Sequence, residues 1–173
     1  YSSRKHCEKS NRCPCCRMKT LFLTFTASIA IGTISLSFAD SYDRKDFNYR
    51  SYKPNTSTGF YTNQSCDFIN IDHVVSLKDA YDSGASSWSD SKKETFANDR
   101  SNHVPSCGRV NGSKGSEGPS DFLRRSRDGK GLEYEIVRFC EYVQKYYAVK
   151  VKYELSFNDN KTHPFEGCGI TSI

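Results

Sequence analysis

Hydrophobic and polar positions divide the chain into a few readable stretches. An apolar run from Leu21 to Phe38, diluted by Thr24, Thr26, Ser28, Thr33, Ser35 and Ser37, gives way abruptly to Asp40-Ser41-Tyr42-Asp43. From Asp40 to Gly59 polar and aromatic residues mix without a period, which predicts an extended arm laid on the domain by Tyr42, Phe47, Tyr49 and Tyr52. Phe60 to Thr62 reads as a short strand, and Cys66 to Val75 as the first strand of a central unit. Ser76 is placed to cap a helix, with Asp79 three residues later as the acidic half of a capping box. Ser83-Gly84-Ala85 ends that helix. A second short helix starts at Asp90 or Ser91 and runs through Phe96, with Trp88 before it as a core anchor.

Asn102 to Val110 reads as a loop feeding a short strand. Gly112, Gly115, Gly118 and Pro119 predict turns, and Ser120 opens a helix with Asp121-Phe122-Leu123-Arg124. Ile136, Phe139, Cys140, Val143, Tyr146 and Tyr147 fall on one face of a helix over Leu132–Tyr147. Beyond it, Val149, Val151, Tyr153, Leu155 and Phe157 alternate as a strand would, while Val143, Tyr147, Lys150 and Val151 continue the helical stripe. No breaker separates the two, so the expectation is one longer helix ending near Glu154. The last segment, with Pro164 and Gly167-Cys168-Gly169, predicts a tail held down by Cys168.

Charge changes this picture only after it is located. The 173 residues carry a formal +5. Residues 1–39 hold Arg4, Lys5, Lys9, Arg12, Arg17 and Lys19 against Glu8, which accounts for the whole excess; residues 40–173 are neutral overall. Met18 is the chain's one methionine. Lys19, the apolar run and small residues at Ser37 and Ala39 follow it, as in a secretory signal peptide. The expectation is a signal over 18–39, cleaved after Ala39, an upstream segment 1–17 without function, and a single domain over 40–173. Within that domain, Arg100, Arg109, Lys114, Arg124, Arg125, Arg127 and Lys130 stand against Glu117, Asp121 and Asp128. That local excess reads either as a solvated face or as a phosphate-binding one.

Four of the eight cysteines, Cys66, Cys107, Cys140 and Cys168, fall in 40–173. In an exported chain an even count implies disulfides, with three possible connectivities. A tetrathiolate zinc site is the rival, against which the wide spacing speaks. Cys140 on the long helix and Cys168 on the tail are the expected pair, which leaves Cys66 with Cys107.

The candidate chemistry lies in Asn70-Ile71-Asp72-His73-Val74-Val75-Ser76-Leu77-Lys78-Asp79-Ala80 and in Asn102 to Gly115. A carboxylate and an imidazole stand side by side, and an amide follows at Asn111. Phosphodiester hydrolysis needs a nucleophilic water, neutralised charge at phosphorus and a stabilised leaving oxygen, and a divalent ion helps with the last two. Asp72 and Asn111 suit Mg²⁺, which takes few protein oxygens. Imidazole suits proton abstraction near neutral pH. Strand alternation, however, sends Asp72 and His73 to opposite faces, so His73 can join the site only where a strand ends or twists.

D-H-V-V-S-L-K-D-A (Asp72–Ala80), S-G-A (Ser83–Ala85), F-A-N-D (Phe96–Asp99) and N-G-S-K-G (Asn111–Gly115) occur in order. Together they resemble the HNH, or ββα-metal, endonuclease family, and most of all its secreted bacterial branch. The likeness covers roughly residues 42–168, with the specific core at 70–123. It implies an α+β fold: a small ββα-metal core with additional helices, stapled by disulfides. It implies Asp72 as metal-binding acid, His73 as general base, and Asn102 as the middle asparagine bracing a loop through backbone hydrogen bonds. Asn111 is implied as the second metal ligand, where the family often has histidine; the amide favours Mg²⁺ or Mn²⁺ over softer ions. Arg109 and Lys114 are placed to meet phosphate.

The expected activity is therefore secreted or periplasmic hydrolysis of DNA, with RNA as the alternative substrate. No reader module is present, so little sequence specificity is expected. The protein is expected to act as a monomer, with no stable membrane association once the signal is removed. An exported binding protein on an inactive nuclease scaffold is the rival reading. A nuclease toxin, with an immunity protein as partner, is the third.

Overall fold

The computed structural model describes residues 41–122, 135–157 and 160–173. The chain divides into Tyr1–Ser37 and Phe38–Ile173, and all described residues lie in the second unit. The expected upstream segment and signal peptide lie outside the described residues, as do Arg124, Arg125, Arg127 and Lys130 of the basic concentration.

A two-stranded antiparallel sheet carries the centre. Strand β1 (Ile69–His73) pairs with β2 (His103–Cys107), in a register that sets Ile69 opposite Cys107, Asp72 opposite Val104 and His73 opposite His103. Helix α3 (Gly108–Lys114) follows β2 without a loop. Between the strands run α1 (Leu77–Asp82), a 3₁₀ turn (Ala85–Ser87), α2 (Asp90–Asn98) and a second 3₁₀ turn (Arg100–Asn102). After α3 come α4 (Pro119–Phe122), α5 (Phe139–Lys152) and α6 (His163–Glu166). The architecture is mixed helix and small sheet with two disulfides, Cys66–Cys107 and Cys140–Cys168. That is the pairing expected from the helix and the tail, and it removes the zinc tetrathiolate reading.

Several elements differ from expectation for local reasons. Strand β1 begins at Ile69, because Cys66 is turned aside to hydrogen-bond Ser57 O and to bridge Cys107. Phe60–Thr62 is a turn, closed by Asn63 N–H donating to Gly59 O, with Asn63 left-handed at φ 54°. Gly112 lies inside α3 instead of forcing a turn, and the break comes at Gly115, whose φ is 57°. The 40–59 arm contains a 3₁₀ helix, Arg44–Phe47, that seals Phe47 completely. Ser76 caps α1 by accepting from Asp79 N–H, but the Asp79 carboxylate does not close the box. It accepts instead from Lys150 Nζ (2.8 Å), Tyr146 (2.7 Å) and Ser83 Oγ (2.9 Å), which ties α1 to α5.

Helix α5 starts at Phe139, later than the Leu132 of the sequence reading, whose residues 132–134 lie outside the description. It stops at Lys152, and Glu154 adopts φ 56°. Val149 is buried while Val151 is exposed, so the helical period overrides the alternating one. Its buried stripe, Tyr142, Val143, Tyr146 and Val149, faces Tyr61 and Phe122 in an edge-to-face aromatic core. Burying that much aromatic surface is the main driving force available to a domain this size. The tail is not held by its disulfide alone, since Phe165 on α6 is fully buried. Trp88 is half-buried, edge-on to Phe96 with Lys92 over its ring, and so is less enclosed than expected.

Candidate active site

Strand alternation decides the geometry around Asp72 and His73. Asn70 and Asp72 share one face of β1 and look toward α3, where Asn111 and Lys114 sit one turn apart. Two layers result. In the outer layer Asn111 Nδ2 donates to Asn70 Oδ1 at 2.9 Å. In the inner layer Lys114 Nζ lies 3.2 Å from Asp72 Oδ2 and donates to His73 O at 2.8 Å. Tyr61 donates its hydroxyl proton to Asp72 Oδ2 at 2.6 Å. Burial raises the Asp72 pKa, and the opposing pull of Lys114 and Tyr61 does not cancel it. The phenol of Tyr61 is itself pushed well above its ordinary value by burial and by Asp72.

Lys114 is fully buried. This corrects the expectation that it meets phosphate: its ammonium is spent inside the protein, neutralising Asp72 and holding the backbone at the end of β1. Arg109 is exposed on α3. The outer amide pair lines a shallow cleft of about 420 Å³, with Arg44 and Lys78 on its rim.

His73 points the other way. It is 4% exposed, and its Nε2 lies 2.7 Å from Ala97 O and 3.1 Å from His103 Nε2. His103 Nε2 is also 3.0 Å from Ala97 O, and His103 Nδ1 is 3.2 Å from the Tyr52 hydroxyl. Tyr49 closes over both rings edge-on. Burial pushes the His73 pKa down to about 3 and also lowers that of His103, so His73 is neutral at ordinary pH. The structure thus brings Asp72 and Lys114 together, pairs Asn111 with Asn70 in the layer outside them, and places His73 behind, joined to Lys114 through its backbone carbonyl rather than its ring.

Asn102 is fully buried beneath the turn after β1. Its Oδ1 accepts from Val75 N–H at 2.8 Å, its Nδ2 donates to Val75 O at 2.9 Å, and its own carbonyl accepts from Val74 N–H at 2.8 Å. These three bonds fix the path of the chain just past His73.

Three residues of this neighbourhood escaped the sequence reading. Asn70 was findable, because period two puts it on the face of Asp72. His103 follows Asn102 directly, but the cross-strand register that sets it against His73 is not written in the local sequence. Tyr61 reaches Asp72 from a turn that carried no signal.

The donor atoms on the α3 side are one carboxylate and two carboxamide oxygens. A hard divalent ion, which keeps most of its waters and takes few protein oxygens, uses donors of this kind, and to reach them it would displace Lys114 from Asp72 and Asn111 Nδ2 from Asn70 Oδ1. Among the described residues no group of three or more His, Cys, Asp or Glu is placed to hold a metal ion.

Comparison with known proteins points the same way. The family model for the C-terminal domain of GmrSD restriction endonucleases, a domain of the HNH type, matches residues 34–163. A protein of Arthroderma benhamiae described as an uncharacterized secreted protein is 36% identical over 90 residues, which is 51% of this chain and 40% of that relative. The chain therefore matches less than half the length of that relative. No solved structure matches it significantly. Among the described residues no helix is long and apolar enough to cross a membrane.

Proposed function

From the premise that the chain belongs to the family of GmrSD restriction-endonuclease C-terminal domains, which are of the HNH type, we propose that it is a secreted, metal-dependent endonuclease. It hydrolyses phosphodiester bonds of DNA with little sequence preference, and RNA is the alternative substrate. The observation that carries the reading is the strand–strand–helix unit of β1, β2 and α3, with Asp72 on β1, Asn111 on α3 and Asn102 bracing the turn that follows β1.

In this reading Asp72 and Asn111, with Asn70 beside them, hold the divalent ion. When bound, such an ion neutralises phosphate charge and assists the departing oxygen. Asn102 keeps the end of β1 from fraying. His73 is the general base in this reading, a role that requires bound substrate to raise its proton affinity above the low value, about 3, that burial gives the free protein. The proton has one polar way out among the described contacts, through His103 to the Tyr52 hydroxyl. Lys114 acts indirectly, by fixing the Asp72 carboxylate and the His73 carbonyl. Secretion agrees with the name of the Arthroderma benhamiae relative and with the signal-like pattern of 18–39. Replacing His73 with Ala in the purified enzyme tests the reading: the cleavage rate should fall by about 10²–10⁴-fold, and an unchanged rate would make His73 structural.

The burial of Asp72 and His73 favours a second reading, a disulfide-stapled binding protein on a scaffold that no longer cuts. It predicts DNA binding without cleavage at any divalent ion concentration.

A further inference from the structure

On the His103 side of the sheet lies a second cleft, of about 570 Å³, to which no part of substrate binding is assigned above. Arg50 and Tyr52 of the arm, Glu94 and Asn98 of α2, Arg100, and His103 at the head of β2 line it. Its parts are held in place. Arg50 N–H donates to Asn98 Oδ1 at 2.9 Å, and Asn98 Nδ2 donates back to Asn48 O at 3.1 Å, so the arm is fastened to α2. The Arg50 guanidinium pairs with Glu94. The Arg100 guanidinium lies over the Tyr52 ring, 3.4 Å from its centroid. Stacked this way it keeps its in-plane N–H donors for oxygen acceptors. The lining combines two guanidiniums, an amide, a phenol and an imidazole with a single carboxylate already paired.

Resting on the nuclease reading, we propose that this cleft is a binding site for the phosphodiester backbone of the nucleic-acid strand. Guanidinium, amide and hydroxyl donors are the groups that contact phosphate and position a strand without reading its bases. The cleft has several times the volume of a single phosphate group, which suits a length of strand. His103 on its wall lies 3.1 Å from the buried His73 ring, which does not itself line the cleft. A strand seated here lies on the side of the sheet that the His73 ring faces, with His103 between, rather than on the side of Asp72 and Asn111. The site is distinct from the phosphate contacts that the sequence pointed to at Arg109 and Lys114.

The test is binding of a short labelled DNA duplex to the full chain in excess chelator, read by fluorescence anisotropy across a salt series. For Arg50→Gln/Arg100→Gln the expected result is a dissociation constant raised about tenfold or more and a log–log salt slope reduced by about 1–2, as one or two phosphate contacts are lost. Glu94→Gln should shift affinity the opposite way, several-fold tighter, an outcome that misfolding cannot mimic. Lys145→Gln/Lys161→Gln removes two cations that line neither cleft and serves as the charge-matched control. If the arginine pair weakens binding no more than this control, and Glu94→Gln does nothing, the site is refuted while a DNA-cutting wild type keeps the nuclease reading intact. If wild type neither binds nor cuts DNA, both fall. Displacement of the duplex by inorganic phosphate at concentrations where sulfate of equal ionic strength has no effect would make this a small-anion pocket and overturn the strand proposal.

Discussion

Lys114 Nζ lies 3.2 Å from Asp72 Oδ2, with the lysine side chain fully buried and the aspartate side chain 5% exposed. Two opposite charges sealed together stabilise a fold mainly by not leaving each other alone. Lys114→Met strands the Asp72 carboxylate beside Tyr61 and should destabilise the protein by about 3–5 kcal/mol. Asp72→Asn/Lys114→Met removes both charges and should recover much of that loss in chemical denaturation. Equal losses in the single and double variants would show that the pair is not coupled.

Two tyrosines in van der Waals contact should respond oppositely to losing a hydroxyl. Their rings are 5.3 Å apart. Tyr61 gives its hydroxyl proton to Asp72, whereas among the described residues the Tyr142 hydroxyl is buried with no partner. Tyr61→Phe should cost about 1–3 kcal/mol by leaving a buried carboxylate under-bonded. Tyr142→Phe should be neutral or stabilising, because it removes an unsatisfied group at no cost in shape. Thermal melts of the two variants decide the matter, and matching losses would contradict the assignment of partners.

Much of this was legible beforehand because it depends on near neighbours. The Ser76 cap, the two short helices and the stripe of α5 follow from local spacing, and motif order put Asp72, Asn102 and Asn111 forward as candidates. The conflict between Asp72 and His73 was also visible, since adjacent strand residues face apart, and the structure keeps them apart. What the sequence could not carry was register and partnership. That Lys114 faces inward depends on where α3 lands on β1, and that His73 meets His103 depends on a cross-strand pairing thirty residues away. Gly112 misled for a related reason: glycine tolerates a helix when packing holds it, and only Gly115 needed its positive φ.

The Cys66–Cys107 bridge joins the approach to β1 to the end of β2 across 41 residues. Packing around it is close, since a Cβ on Gly59 would lie 2.9 Å from Cys107 Sγ. Cys66→Ser/Cys107→Ser should lower stability by roughly 3–4 kcal/mol on the chain-entropy account. As the protein is warmed, activity should disappear before the helical circular-dichroism signal of α5 does. Simultaneous loss of both would mean the bridge does not act on the two-stranded unit in particular.

Acid sensitivity should centre on Asp99. Burial alone raises its pKa, but hydrogen bonds from Lys152, from the Ser101 hydroxyl and N–H, and from Tyr153 outweigh that and hold the carboxyl well below its usual range. A carboxyl with a depressed folded-state pKa contributes stability that is present above the unfolded pKa of about 4 and lost as pH falls toward the folded value. The stability gap between wild type and Asp99→Asn should therefore be widest near neutrality and shrink below about pH 4. A gap that stays constant into acid would show that Asp99 acts by shape rather than by charge.

The most direct test of the account is nicking of supercoiled plasmid by the purified protein in Mg²⁺, in excess chelator, and after Mg²⁺ is restored, with Asn111→Ala alongside. The account predicts relaxation and linearisation in Mg²⁺, none in chelator, recovery on restoring the ion, and a raised Mg²⁺ requirement for Asn111→Ala. Undiminished cutting in chelator, or an intact plasmid in every lane, would contradict it.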